Sequence, residues 1–193
     1  MGKTITKDEI SLFPVEEYTG RIFEIQTVED TDEAVDYLSK FELLGFDTET
    51  RPSFKKGSIN GVALIQIATD DICFLFRLNK IDFPPALLRL LTNPGVIKIG
   101  LSLKDDFQSM GRRLKFKPQG FLDLQKIVNE YDIDDISLQK IYALLFNKKI
   151  SKTQRLSNWE ADELTEPQKR YAALDAWACL KIYEELCPIK KFI

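Results

Sequence analysis

Two acids one residue apart, Asp47 and Glu49, close an apolar run in Phe46-Asp47-Thr48-Glu49-Thr50. Side chains two apart on a strand share a face, so these carboxylates project together and Thr48 faces away. Carboxylates this close repel and hold protons more tightly unless a cation sits between them. Hard divalent cations take oxygen ligands, so the pair suits Mg²⁺ or Mn²⁺. Alone, such a pair also fits a solvated strand end. A second element runs from Lys98 to Asp106, in which a short apolar strand meets Gly100 and then a helix with Asp105 and Asp106 in its first turn. Acids placed there lie near the carboxyl ends of strands, where α/β sheets bind ligands. They also simply complement a helix dipole. A third element is Arg170-Tyr171-Ala172-Ala173-Leu174-Asp175-Ala176. Tyr171 and Asp175 are four apart and share one helical face. Ala172, Ala173, Ala176 and Ala178 let that helix pack closely on a sheet, and a carboxylate buried there requires a polar partner.

The elements that must position these residues follow from periodicity and punctuation. Strands are expected at Arg21–Gln26, Leu43–Thr48, Val62–Ala68, Ile72–Arg77 and Val96–Ile99, with a hairpin turn at Thr69-Asp70-Asp71. Helices are expected at Thr31–Lys40 with Asp30 or Thr31 as N-cap, then at Pro84–Leu91, Leu103–Leu114, Asp123–Asn129 and Ser137–Phe146. Thr165 and Gln168 form a capping-box pattern that opens a helix running to about Leu186 before Pro188. Arg51–Gly61, with Pro52, Gly57 and Asn60-Gly61, reads as a loop, and residues 147–164 are irregular. The order describes an α/β fold with a mixed sheet and flanking helices. Residues 1–20 read as an N-terminal arm or first packing segment, and 21–193 as one domain.

Composition narrows the chemistry. The 193 residues contain no histidine, which removes imidazole bases and His-rich metal sites. Catalysis must run on carboxylates, Tyr, Lys, Ser or Cys. Three cysteines form no CxxC pair, arguing for a reducing, cytoplasmic setting and against a zinc cluster. No export signal opens the chain, and no apolar run is long enough to span a bilayer. The net charge of −3 does not by itself favour nucleic acid. Basic residues are nonetheless bunched at Arg51, Lys55 and Lys56, at Arg112–Lys117, and at Lys148, Lys149, Lys152 and Arg155.

Taken in order, the three acidic elements resemble the Exo I, Exo II and Exo III motifs of the DEDD 3′→5′ exonuclease superfamily. The Tyr-x-x-x-Asp spacing resembles its DEDDy branch, of the Werner-helicase and ribonuclease D type. Similar stretches include Gly45–Glu49, Val62–Ile67, Lys98–Asp106, Ser157-Asn158-Trp159 and Leu164–Tyr183, spanning most of 40–187. The resemblance implies a ribonuclease H-like fold and a metal-dependent 3′→5′ exonuclease that releases 5′-mononucleotides from DNA or RNA, tilting toward DNA. It assigns Asp47, Glu49, Asp106 and Asp175 as ligands of two divalent ions, Mg²⁺ or Mn²⁺, about 4 Å apart. Tyr171 would orient the attacking water. Asp105 falls where the family has no fixed acid.

Thr50, Ser102 and Arg155 are candidate nucleic-acid contacts; turn, cap and solvated-surface roles fit them equally. Trp159 reads as a packing anchor rather than a base-stacking platform. No helicase, HRDC or polymerase region accompanies the motifs and no obligate protein partner is evident, so the chain reads as a free-standing exonuclease domain. Two rivals differ in class. An aspartyl-nucleophile phosphatase would want aspartate where Glu49 stands. A non-catalytic nucleic-acid-binding module of the same fold would not need all four acids and the tyrosine.

Overall fold

A computed structural model of the chain describes residues 2–52 and 60–188. Lys55, Lys56 and most of the expected Arg51–Gly61 loop lie outside the described residues. Thr6 and Glu9 form a capping box that opens α1 (Lys7–Ser11). The succession is then β1 (Arg21–Ile25), α2 (Val28–Leu38), β2 (Leu43–Thr50), β3 (Val62–Ala68), β4 (Ile72–Arg77), α3 (Leu78–Ile81), α4 (Pro85–Thr92) and β5 (Ile97–Gly100). It continues with α5 (Leu103–Arg113), β6 (Phe121–Asp123), α6 (Leu124–Val128), a 3₁₀ turn at Asn129–Tyr131, α7 (Leu138–Phe146) and α8 (Glu166–Leu186).

The strands form one mixed sheet in the order β1-β4-β3-β2-β5-β6. β2, β3 and β4 pair antiparallel. β1 joins β4 in parallel, and β5 and β6 extend the β2 edge in parallel. The centre, β3, is buried at every position because both faces are covered. Ile65 and Ile67 face a core with Leu38, Phe46, Phe76, Leu87, Leu90 and Met110. Leu64 faces the other core with Leu75, Ile99, Tyr142, Trp159, Ala172 and Ala176. The N-terminal segment packs Ile5 and Ile10 against Ala143 of α7.

α8 forms most of the second layer. The Thr165 hydroxyl accepts from the Gln168 amide, while the Gln168 side chain accepts from the Thr165 amide at 2.8 Å. The alanines then bring the helix unusually near β2. A Cβ on Gly45 would lie 2.0 Å from the Ala176 carbonyl oxygen, so only glycine permits this approach.

Three local expectations are corrected. α2 starts earlier, with Thr27 as N-cap accepting from the Asp30 amide at 3.0 Å. Thr31 is buried one turn inside, its hydroxyl donating to the Thr27 carbonyl. The helix expected from Asp123 begins at Leu124, and Asp123, its N-cap, closes β6, a strand three residues long and too short for a period-two pattern to show. β2 continues two residues past Thr48, carrying Glu49 and Thr50 into a bulge opposite β3.

Candidate active site

The site is built where β2, α5 and α8 meet. Along β2, Phe46 points into one core and Asp47 to the opposite face, under α8. Glu49 follows on the same face. α8 brings Asp175 down onto them, and Tyr171 lies one turn before it. Carboxylate oxygens of Asp47, Glu49 and Asp175 all lie within 4.8 Å of one another. Glu49 is 9% and Asp175 7% exposed, so water screens their repulsion poorly.

Asp106 stands apart from that tight group. It lies in the first turn of α5, and its carboxylate accepts a hydrogen bond from the Thr48 hydroxyl. Thr48 faces away from Asp47 and Glu49, as alternation requires, and thereby reaches the fourth acid. Asp106 remains near enough to raise the proton affinity of both Asp47 and Glu49. Asp105 is exposed.

The four carboxyls are all harder to ionise than usual. Asp47 is raised well above the ordinary aspartate range, first by burial and then by Asp106, Asp175 and Glu49. Burial, with Asp175 and Asp106, lifts Glu49 to about 9, against the pull of Arg155. Burial lifts Asp175 to about 7, although the Tyr171 hydroxyl and Lys152 pull it down. Asp106 rises to about 6, mainly through burial, with Thr48 opposing. Tyr171 is pushed far above the usual tyrosine value by burial and by Asp175 and Glu49, so it keeps its proton at neutral pH. Among the described residues, no lysine or arginine forms an ion pair with any of the four acids. Crowded oxygens with no cation partner among the described residues are a donor set suited to a hard divalent ion.

The remaining candidates surround this centre. Thr50 ends β2, its hydroxyl 3.2 Å from that of Ser109 on α5. Ser102 is the N-cap residue of α5 in the left-handed conformation, with no side-chain cap bond of its own. Asp123 does that work instead, accepting from the Ser102 and Leu103 amides at 3.0 Å each. Arg155 is exposed beside Glu49. Lys148 and Lys149 are committed elsewhere, to Glu16 and the Ser11 carbonyl. The 112–117 basic run begins at the far end of α5 from Asp106, where Arg113 donates to the Val62 carbonyl. Trp159 is fully buried and stacks on Tyr171 with ring centroids 6.1 Å apart. Lys152 beside Asp175, the Thr48–Asp106 bond and the Asp123 cap were not singled out in the sequence. Only Lys152 left a signal there, as part of a basic bunch.

Comparison with known proteins adds an independent line. A family model described as 3′-5′ exonuclease matches residues 22–189. The mouse bifunctional 3′-5′ exonuclease/ATP-dependent helicase WRN is 35% identical over 155 residues, covering 77% of this chain and 11% of that protein. A 3′-5′ exonuclease of Arabidopsis thaliana is 28% identical over 190 residues, covering 90% and 66%. The chain therefore spans from about a tenth to about two thirds of these relatives. Among solved structures, the Aedes aegypti Nibbler EXO domain superposes with a TM-score of 0.77 at 22% identity, covering 97% of this chain and 91% of that one. Escherichia coli RNase D superposes with a TM-score of 0.77 at 21% identity, covering 87% and 44%. These two likenesses show the fold, a ribonuclease H-like mixed sheet with flanking helices.

Proposed function

Since the chain belongs to the 3′-5′ exonuclease family, we propose that it hydrolyses phosphodiester bonds from the 3′ end of a nucleic acid and releases 5′-mononucleotides. The observation that carries this reading is the convergence of Asp47, Glu49 and Asp175 within 4.8 Å. Family members use divalent metal, and this donor set fits it. In the proposed arrangement Asp47, Glu49 and Asp175 would hold one ion, Mg²⁺ or Mn²⁺, and Asp47 with Asp106 would hold a second. When bound, the ions supply a water acidified enough to attack phosphorus, and charge neutralisation at the leaving 3′ oxygen.

The chain's own groups do the rest. Tyr171, protonated and fixed by stacking on Trp159, aims the attacking water by accepting its hydrogen bond at the hydroxyl oxygen and removes no proton itself. Thr48 holds Asp106 toward the site. Arg155 and Lys152 line the approach with positive charge suited to phosphate. Thr50 and Ser102 contact the terminal nucleotide. The domain extends over 21–193, with residues 1–20 as an arm against it.

DNA is the proposed preference over RNA, carried by the sequence resemblance alone. A reducing, cytoplasmic setting is supported by three thiols, none in a disulfide. No described helix is long and apolar enough to cross a membrane. The test is digestion of 3′- and 5′-labelled DNA and RNA in Mg²⁺, Mn²⁺ or EDTA. Mononucleotides leaving the 3′ end only with metal are expected. Endonucleolytic fragments, or digestion unaffected by EDTA, would contradict the proposal.

A further inference from the structure

β3 is apolar except at Gln66. That residue is 0% exposed, and neither its Oε1 nor its Nε2 has a hydrogen-bond partner among the described residues. A buried amide with both ends unpaired is rare and calls for a physical reason. The ladder register supplies one. Gln66 stands directly opposite Asp47 in the antiparallel β2–β3 pair. Residues so paired project to the same face with Cβ atoms about 4.5–5.5 Å apart. On its other side Gln66 pairs with Leu75 of β4, which offers no polar group. Asp47 is therefore its polar neighbour across the ladder, beneath α8 and at the floor of the acidic group.

We infer that Gln66 is a positioning residue for the metal site: its side-chain NH₂, otherwise unpartnered, turns to donate to one Asp47 carboxylate oxygen when that carboxylate holds a divalent ion, and so fixes its orientation. The inference rests on the nuclease reading. Asp106 already shows the same device, since Thr48 holds its carboxylate by a hydrogen bond. An amide suits the task because it donates without charge. A lysine or arginine opposite Asp47 would neutralise the ligand and compete with the ion. Hydrogen bonds behind metal ligands typically govern metal affinity or activity by about 10–100-fold.

Two variants test it, Gln66→Met, which keeps the length and removes the amide, and Gln66→Leu. Mn²⁺ alone is titrated calorimetrically into the wild type, Asp175→Asn and both Gln66 variants, with circular dichroism to verify folding. The expected result is a thermal midpoint in EDTA equal to or above wild type, because the amide is a buried, unpartnered group until Asp47 holds an ion. The Mn²⁺ dissociation constant should rise about 10–100-fold. The KM for a labelled oligonucleotide at saturating Mn²⁺ should stay unchanged. Unaltered Mn²⁺ affinity in either folded variant overturns the inference, as does failure of both to fold, which would make Gln66 a packing residue. A wild type that binds no Mn²⁺ overturns this inference and the nuclease reading together. Wild-type binding that Asp175→Asn abolishes and Gln66→Met leaves intact overturns this inference alone.

Discussion

Replacing Asp175 by Asn should stabilise the metal-free protein at pH 8 while removing its response to metal. Burial lifts the Asp175 carboxyl from the ordinary 3.8 to about 7. In the unfolded chain it ionises at its ordinary value, so between those pH values the folded state binds more protons. Stability therefore falls as pH rises through that window, and the loss is complete above about 7. The span is about 3 pH units at about 1.4 kcal/mol each, so the cost approaches roughly 4 kcal/mol at pH 8. Asn keeps the shape and an oxygen that can accept from Tyr171, and carries no charge. Part of the gain is lost because the buried Asn amide brings NH₂ donors that need partners, leaving about 2–3 kcal/mol. In a protein of this size that is a rise of about 5–10 °C in Tm. The assay is thermal unfolding of both proteins at pH 5 and pH 8, in EDTA and in Mn²⁺. The gap in EDTA should be larger at pH 8 than at pH 5. Mn²⁺ at about 100 times its Kd should stabilise the wild type by about 2.7 kcal/mol and Asp175→Asn far less. A lower Tm for Asp175→Asn in EDTA at pH 8, or equal Mn²⁺ stabilisation of both proteins, would refute the reasoning.

Asp47→Ala, Asp106→Ala and Asp175→Ala should each abolish digestion of a labelled oligonucleotide while circular dichroism stays native; near-normal turnover in any of them would remove that acid from the chemistry. Tyr171→Phe should lower kcat about 10²-fold or more with Mn²⁺ affinity little changed, as measured by single-turnover kinetics and calorimetry. Mn²⁺ affinity should strengthen as pH rises from about 6 to 9, because the raised Asp106, Asp175 and Glu49 carboxyls must lose protons to bind it; calorimetry in buffers of different ionisation enthalpy would count the released protons. Gly45→Val should unfold or severely destabilise the chain by driving α8 from β2, seen as a collapse in Tm.

The motif acids were legible because their chemistry is written locally. Alternation put Asp47 and Glu49 together, and helical spacing put Tyr171 beside Asp175. Val62–Ala68 and Ile72–Arg77 were read to the residue, since each apolar run stops at turn-forming polar groups. What was missed depends on relations between distant segments. The opposition of Gln66 to Asp47 is a matter of strand register, and the Thr48–Asp106 bond depends on how α5 is rotated against β2. The position of Asp106 beyond the tight trio has the same origin. Lys98, the one charged residue of the expected Val96–Ile99 strand, is fully buried. Its Nζ donates to the Leu90, Asn93 and Val96 carbonyls at 2.8–2.9 Å, a cage made only when α4 and β5 pack together.

The most direct test of the account is a crystal structure of the wild type grown with Mn²⁺, read from its anomalous scattering. A peak bonded to oxygens of Asp47, Glu49 and Asp175, with a second between Asp47 and Asp106, is the expected result. Saturating Mn²⁺ with no peak at these carboxylates, or with its peaks elsewhere on the molecule, would contradict it.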